Sequence, residues 1–441
     1  MLAADLLLLA VCPCAQEAPA ALERGQVARW DGGALTVEAF EAYLGQRLRG
    51  QSLGVEALRH LLQIHLVEQE AAARGLRVAP EALAERVRRA HEEITKTGVD
   101  VDEFLARRGL TAADFEKLLA DSLLHEMLAR QDLGRAPEEA VSNEELLAWT
   151  EQRLSALLAQ AAEAPPGHVL NAPPFVVTEQ QLGAVLRSAL EHEQLLGYVH
   201  DVVLAQRADA WAQEHGVELD AAMIEEELEY QRRKAEESGV TLDALLQAMG
   251  TSVAQVTGNP SFRTTVLLRA WAQRRYDDAW FAALAAPQRQ QLEERFGARR
   301  EVSWILLRAS AQKVDPLDLS FEEAAEELAR VGASIQSAED FGNAASKYSE
   351  DEVSRLRRGR LGWLHRRDAR ADPAVTAAAF AAEPGRVSAP VRTGEGVALL
   401  LVTASEPAPE EARFRDDVRR GLLAELRAEI LAQARLGTLY D

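Results

Sequence analysis

Cysteine is nearly absent from this 441-residue chain. There are two, Cys12 and Cys14, and both lie close to the N-terminus. Loss of a short leader would leave no thiol, so neither a disulfide framework nor a cysteine-based zinc site would be available to the remainder. Positive charge is also in deficit. The 49 Lys and Arg residues face 70 Asp and Glu, a net charge of −21, whereas nucleic acid calls for clustered cations. Only five of the basic residues are Lys. After the first residues no run reaches 18 apolar positions, so nothing further predicts a membrane-spanning helix. There is no phosphate-binding loop. His192 and His200, with Glu191 and Glu193 beside them, read as a solvated helix face, and no metal or cofactor is expected.

What is present is a globular composition. The chain is 47% hydrophobic and 27% charged, far from the disordered class, and its length implies roughly two to four domains. Leu6-Leu7-Leu8-Leu9-Ala10-Val11 is a short apolar run followed by Cys12-Pro13-Cys14-Ala15. It fits the core of a secretory leader over 1–15, although Asp5 stands where positive charge is usual. A buried N-terminal helix turn is the alternative; as a leader, the run is cleaved after Ala15 or lipidated at Cys12. Either processing implies a periplasmic or otherwise exported protein.

Residues 56–131 read as successive amphipathic helices. Leu58, Leu61, Leu62 and Leu66 share one face of the first, and Leu83, Val87 and Ile94 one face of the next. A similar series spans 195–275. Gly75, Gly98 and Gly109 correspond to Gly216, Gly239 and Gly250 at a displacement of 141 (216 − 75). Each glycine stands where a helix should stop, because glycine takes the left-handed cap conformation without penalty. A duplication is expected, with units at 26–145 and 175–290. Between them, 146–174 reads as a linker with a Pro-rich joint, Pro165-Pro166 and Pro173-Pro174. Ser142…Glu145, Thr178…Gln181 and Ser320…Glu323 are capping-box patterns that open helices.

The first series, from Trp30-Asp31-Gly32-Gly33 through Leu61-Leu62 to Gly109-Leu110-Thr111, resembles the N-terminal helical domain of SurA-type and PpiC-type chaperones. A further resemblance rests on ordered blocks: Glu301-Val302-Ser303-Trp304-Ile305, Tyr348-Ser349-Glu350-Asp351, Gly359-Arg360-Leu361-Gly362-Trp363, Ala378-Ala379-Phe380, Pro384-Gly385 to Thr393, and Val397 to Val402. Together they are similar to a complete parvulin-type prolyl-isomerase domain over 296–406. The resemblance implies an α+β protein, mostly helical in its N-terminal region, with one α/β parvulin domain. A last helix, 407–441, is expected to return to the helical region and pack on the first copy.

Prolyl isomerisation breaks no covalent bond. The barrier is amide resonance, so a catalyst must bind the twisted amide better than either planar form. In parvulins two facing histidines, a Cys or Asp, and an apolar pocket do this. The resemblance places Trp304 and Ala398 at the two histidine positions and Asp351 at the acidic one. It assigns Phe380, Leu361, Thr393, Trp304 and Val375 to substrate binding, with Val375 in place of a Phe and Ala371 in place of a Met or Leu. The expected partners are unfolded or nascent exported polypeptides, proline-containing ones among them. Three functions stay open: an active isomerase, a non-catalytic holdase, and a structural subunit of envelope assembly.

Overall fold

The computed structural model describes residues 21–440 except 108–110, 137–138, 238 and 312–317. The leader, Cys12 and Gly109 therefore lie outside the described residues. Among the described residues there are nine strands: β1 Gln26–Trp30, β2 Gly33–Thr36, β3 His168–Ala172, β4 Phe175–Thr178, β5 Arg299–Arg308, β6 Arg360–His365, β7 Val391–Arg392, β8 Gly396–Glu406 and β9 Gly437–Thr438. The fold is α+β, largely helical with small sheets. It divides into two compact units, residues 1–203 with 431–441, and residues 204–430.

The first unit opens with the β1–β2 hairpin, to which β9 adds on the other side of β1. Its helices are α1 Val37–Leu48, α2 Ser52–Ala73, α3 Pro80–Lys96, α4 Val101–Arg107, α5 Ala112–Asp132, α6 Asn143–Leu158 and α7 Glu179–Ala189. Thr36 starts α1 by accepting from Ala39 N, and Thr178 starts α7 with a full capping box. Helices α1 and α7 cross in close contact. A Cβ on Gly45 would lie 1.8 Å from the Glu179 carbonyl oxygen, and one on Gly183 would lie 1.7 Å from that of Glu41. Only glycine permits this approach.

The segment read as a Pro-rich linker differs from expectation. Its prolines Pro173 and Pro174 sit in the turn of the β3–β4 hairpin, where no ladder N–H is required. On either side, Leu170, Ala172, Phe175 and Val177 are buried against α2, α5 and α6. The hairpin repeats the first in detail. Ala28↔Leu35 and Trp30↔Gly33 in one match Leu170↔Val177 and Ala172↔Phe175 in the other.

Helix α8, His192–Glu214, carries the chain across the division between the units. The second unit continues with α9 Ala221–Glu237, α10 Leu242–Ala248, α11 Val253–Thr257, α12 Pro260–Arg275, α13 Asp278–Ala283 and α14 Ala286–Phe296. The bounds of α9 and α10 are those of α3 and α4 displaced by 141 (221 − 80, 242 − 101). Gly75, Gly98, Gly216, Gly239 and Gly250 all have positive φ at helix ends.

Helices α15 Phe321–Ala333, α16 Ala338–Tyr348, α17 Glu352–Arg355 and α18 Pro373–Ala381 surround a four-stranded antiparallel sheet of order β6-β5-β8-β7. Alternation along β5 sends Ile305 and Leu307 to a core shared with α15 and α16. Val302, Trp304 and Leu306 face the other side, towards α18.

The last amphipathic stretch is two helices, α19 Glu411–Gly421 and α20 Leu423–Gln433. Its stripe of Phe414, Val418, Leu422, Leu426 and Ile430 is buried as the periodicity implies. Its location differs from expectation: α19 packs on α12 and α14 of the second helical series. A buried ion network explains the choice. Glu227 of α9 accepts from Arg269 of α12 at 3.2 Å and from Arg420 of α19 at 3.0 Å, and all three side chains are almost fully enclosed. Only Leu431–Asp441 belongs to the first unit, where β9 completes the sheet.

Candidate functional site

The face of the sheet beneath α18 is where a parvulin would hold its proline, and its residues can be placed one by one. Trp304 lies on β5, its backbone N–H donating to the Gly359 carbonyl at 2.8 Å. Gly359 has φ +84, and a Cβ there would come within 2.5 Å of the Trp304 carbonyl oxygen, so the loop before β6 requires glycine. The Trp304 indole Nε1 donates to Ser354 Oγ at 2.8 Å and to Asp351 Oδ2 at 3.2 Å.

Asp351 is the N-cap of α17 and accepts from Ser354 N at 3.1 Å. Partial burial works against its charge. Hydrogen bonds from the Ser354 side chain and backbone, and from the Trp304 indole, outweigh it and hold the carboxyl below the usual carboxylate range. The loop is tied to the sheet at two further points. Ser349 Oγ accepts from Leu306 N at 3.2 Å, and Glu350 N donates to the Leu306 carbonyl at 2.8 Å. Asp351 and Trp304 are thus partners. Ser354, which the sequence reading did not single out, completes the arrangement, and the Asp351-x-x-Ser354 capping spacing is the signal that could have found it.

The other assigned residues do not all meet there. Leu361 is half-buried at the edge of the α18 core, as is Ala371. Ala398, opposite Leu306, is fully buried and offers only a methyl group. Val375 is also fully enclosed, so it lies under the site instead of lining it. Thr393 is used by its own turn: its Oγ1 accepts from Gly396 N at 3.2 Å and donates to the Gly396 carbonyl at 3.1 Å. Phe380 lies apart from this cluster. Its ring is covered by the guanidinium groups of Arg366 at 4.5 Å and Arg300 at 5.4 Å, and Arg300 also caps the end of α18 through the Ala379 carbonyl at 2.8 Å. Next to the site a shallow groove of about 370 Å³ is lined by Ala378, Ala381, Ala382, Val387, Pro390 and Val391. Small side chains make it thin. Among the described residues no group of three His, Cys, Asp or Glu side chains could hold a metal ion.

The sheet order, the loop and helix at 349–359 and the helix packed against β8 define a parvulin-type domain, and residues 305–404 match the Rotamase family, described as the PPIC-type PPIASE domain. The chain therefore carries a PPIC-type domain over residues 305–404. It is similar to the foldase protein PrsA of Clostridium botulinum (strain 657 / Type Ba4), 28% identical over 106 residues. That match covers 24% of this chain and 32% of the relative, so the chain spans about a third of that protein's length. Among solved structures it is similar to foldase protein PrsA from Streptococcus pneumoniae str. Canada MDR_19A, at 16% identity and a TM-score of 0.30 over 59% of this chain and 86% of that one. Peptidylprolyl isomerase PrsA from Bacillus anthracis matches at 14% identity and a TM-score of 0.27, over 55% and 95%.

Proposed function

We propose that this chain is an exported folding helper that binds unfolded or newly secreted polypeptides, proline-containing ones among them, and whose parvulin-type domain isomerises weakly or not at all. The observation that carries the reading is the pairing of Trp304 with Asp351 and Ser354, together with a buried Ala398 on the neighbouring strand that has no polar side-chain atom to offer. The indole fills space beside the one acidic group, and the buried Val375 leaves little ring surface for a proline. A protease-coupled assay on Xaa-Pro peptides tests this, with slow or absent acceleration expected. Robust turnover would favour the active isomerase instead.

Client binding is assigned to the helical part. An open groove of about 940 Å³ runs along α3, apolar where Pro80, Leu83, Ala84 and Val87 line it and polar further along, at Glu92 and Lys96. An apolar groove on a helix accepts extended or helical apolar segments with little sequence preference, which suits a holdase. Export, and lipid attachment at Cys12 as one form of it, rests on the Leu6–Val11 run. Among the described residues no helix is long and apolar enough to cross a membrane. Mass spectrometry of the protein from its own cells is expected to show loss of the leader, and an intact Met1 would overturn that assignment.

A further inference from the structure

Within the second unit, a cavity of about 590 Å³ lies where α9, α14, the start of β5, the end of β6 and α19 come together. Eight Lys or Arg side chains and four carboxylates line it, in a chain whose net charge is −21. Most of these cations hold the walls. Arg299 bridges Glu237 at 2.9 Å and Glu406 at 2.7 Å, and Arg370 pairs with Asp368. Arg420 pairs with Glu227 and Asp416, while Arg295 and Arg367 bond Glu425 and Glu294. The floor is fixed by shape as well, since Gly421 leaves room for the Phe296 ring, whose Cε1 would lie 2.0 Å from any Cβ placed there.

Lys234 bonds Glu237 at 2.9 Å, which leaves two cations. Among the described residues Arg233 lies over the Tyr230 ring at 5.5 Å. Arg413 is half-exposed and reaches Asp417 at 3.8 Å. Burial pushes the Asp417 carboxyl up, and Arg413 and Arg233 nearby act against that shift. The cavity wall also includes His365, whose Nδ1 is buried without a hydrogen-bond partner among the described residues. Phe296, Pro407 and Pro409 give an apolar lining between the charges.

We propose that this cavity is an anion site for Asp- and Glu-rich extended polypeptide, with Arg233 and Arg413 as the capturing cations. The apolar floor suits the backbone and methylene groups of a peptide, which a compact inorganic anion does not use. The two cations belong to α9 and α19, which the buried Glu227 network holds together, so the site is organised before a ligand arrives. The proposal rests on the folding-helper reading for the source of the peptide, but not for the site.

The test is fluorescence anisotropy of a labelled Asp/Glu-rich peptide on the full chain, with a Lys-rich peptide of equal length and inorganic phosphate as comparators. The acidic peptide is expected to bind, the Lys-rich one not, and binding is expected to weaken as salt rises. Arg233→Glu with Arg413→Glu is expected to weaken binding by about tenfold or more while leaving the melting temperature unchanged, because neither side chain holds a wall. Equal binding by the double variant, absence of binding at low salt, or displacement by phosphate at the peptide's own concentration would overturn the site. If the wild type ignores the acidic peptide yet suppresses client aggregation, the site fails and the folding-helper reading stands.

Discussion

Trp304 is central to the proposed parvulin-type site. A thousandfold acceleration requires about 4 kcal/mol of preference for the twisted amide. The groups that would supply it are a tryptophan already bonded to Asp351 and Ser354, and a buried alanine. Isomerase activity is expected to fall short of an intact parvulin by at least about 1 kcal/mol in transition-state stabilisation. Replacing Trp304→His and Ala398→His together is not expected to restore it, because Val375 is fully buried and the neighbouring groove is lined by alanines. Substantial turnover by that double variant in the protease-coupled assay would show that the histidines alone were limiting. The Asp351 anchor carries a pH dependence of defined sign. Its folded carboxyl sits below the ordinary range, so its contribution is complete above that range and is lost as pH falls through the lowered value. The indole N–H resonance of Trp304, identified by its loss in Trp304→Phe, is expected to shift only in acid. In Asp351→Asn that acid transition should be absent; its persistence would place the titration elsewhere.

At the scale of elements, patterns within a few residues were legible and pairings between distant segments were not. The capping boxes at Ser142, Thr178 and Ser320 all form as their spacing implies, because each depends on four consecutive residues. The stripe from Phe414 to Ile430 was legible for the same reason. The β3–β4 hairpin was not, since Pro173 and Pro174 read as a break, and nothing local shows that Leu170 and Phe175 meet α2, α5 and α6. Nor does the sequence around Phe380 show that Arg300 and Arg366 cover it. The α1–α7 crossing also escaped, yet it makes a sharp prediction. In an exposed helix Gly→Ala stabilises by roughly 0.5–1 kcal/mol. Gly183→Ala is expected to destabilise by about 1–3 kcal/mol or more, because its Cβ would collide with the Glu41 carbonyl. Urea unfolding that showed a more stable variant would mean the helices can separate freely. The return helix depends on charge in the same specific way. Glu227→Gln leaves Arg269 and Arg420 buried with diminished compensation and is expected to cost about 3–5 kcal/mol, read from the same unfolding curves. A neutral result would show that Glu226 and Asp416 suffice.

For the molecule as a whole, the question is which part holds a client. The two helical series share one plan, since α9 and α10 repeat the bounds of α3 and α4, but they differ in what covers the shared face. In the second series Leu228 is buried among Leu242, Leu246, Phe262 and Val266. At the corresponding face of α3, Leu83 and Val87 remain half-exposed and line the 940 Å³ groove. Where Leu228 is enclosed in the second series, its counterpart Val87 is only half-buried among the described residues, which makes this stretch of α3 a place for an apolar segment supplied from outside. Leu83→Glu with Val87→Glu should therefore abolish most suppression of aggregation of an unfolded outer-membrane-type protein, measured by light scattering. Because both positions are only half-buried, the melting temperature is expected to change little, which separates lost binding from lost folding. The same pair of changes at the filled face, Ile224→Glu with Leu228→Glu, is expected to lower the melting temperature, since Leu228 has no room for a charge. If the α3 variant keeps full protective capacity, the groove is not the client site, and client holding belongs to residues 296–406 instead.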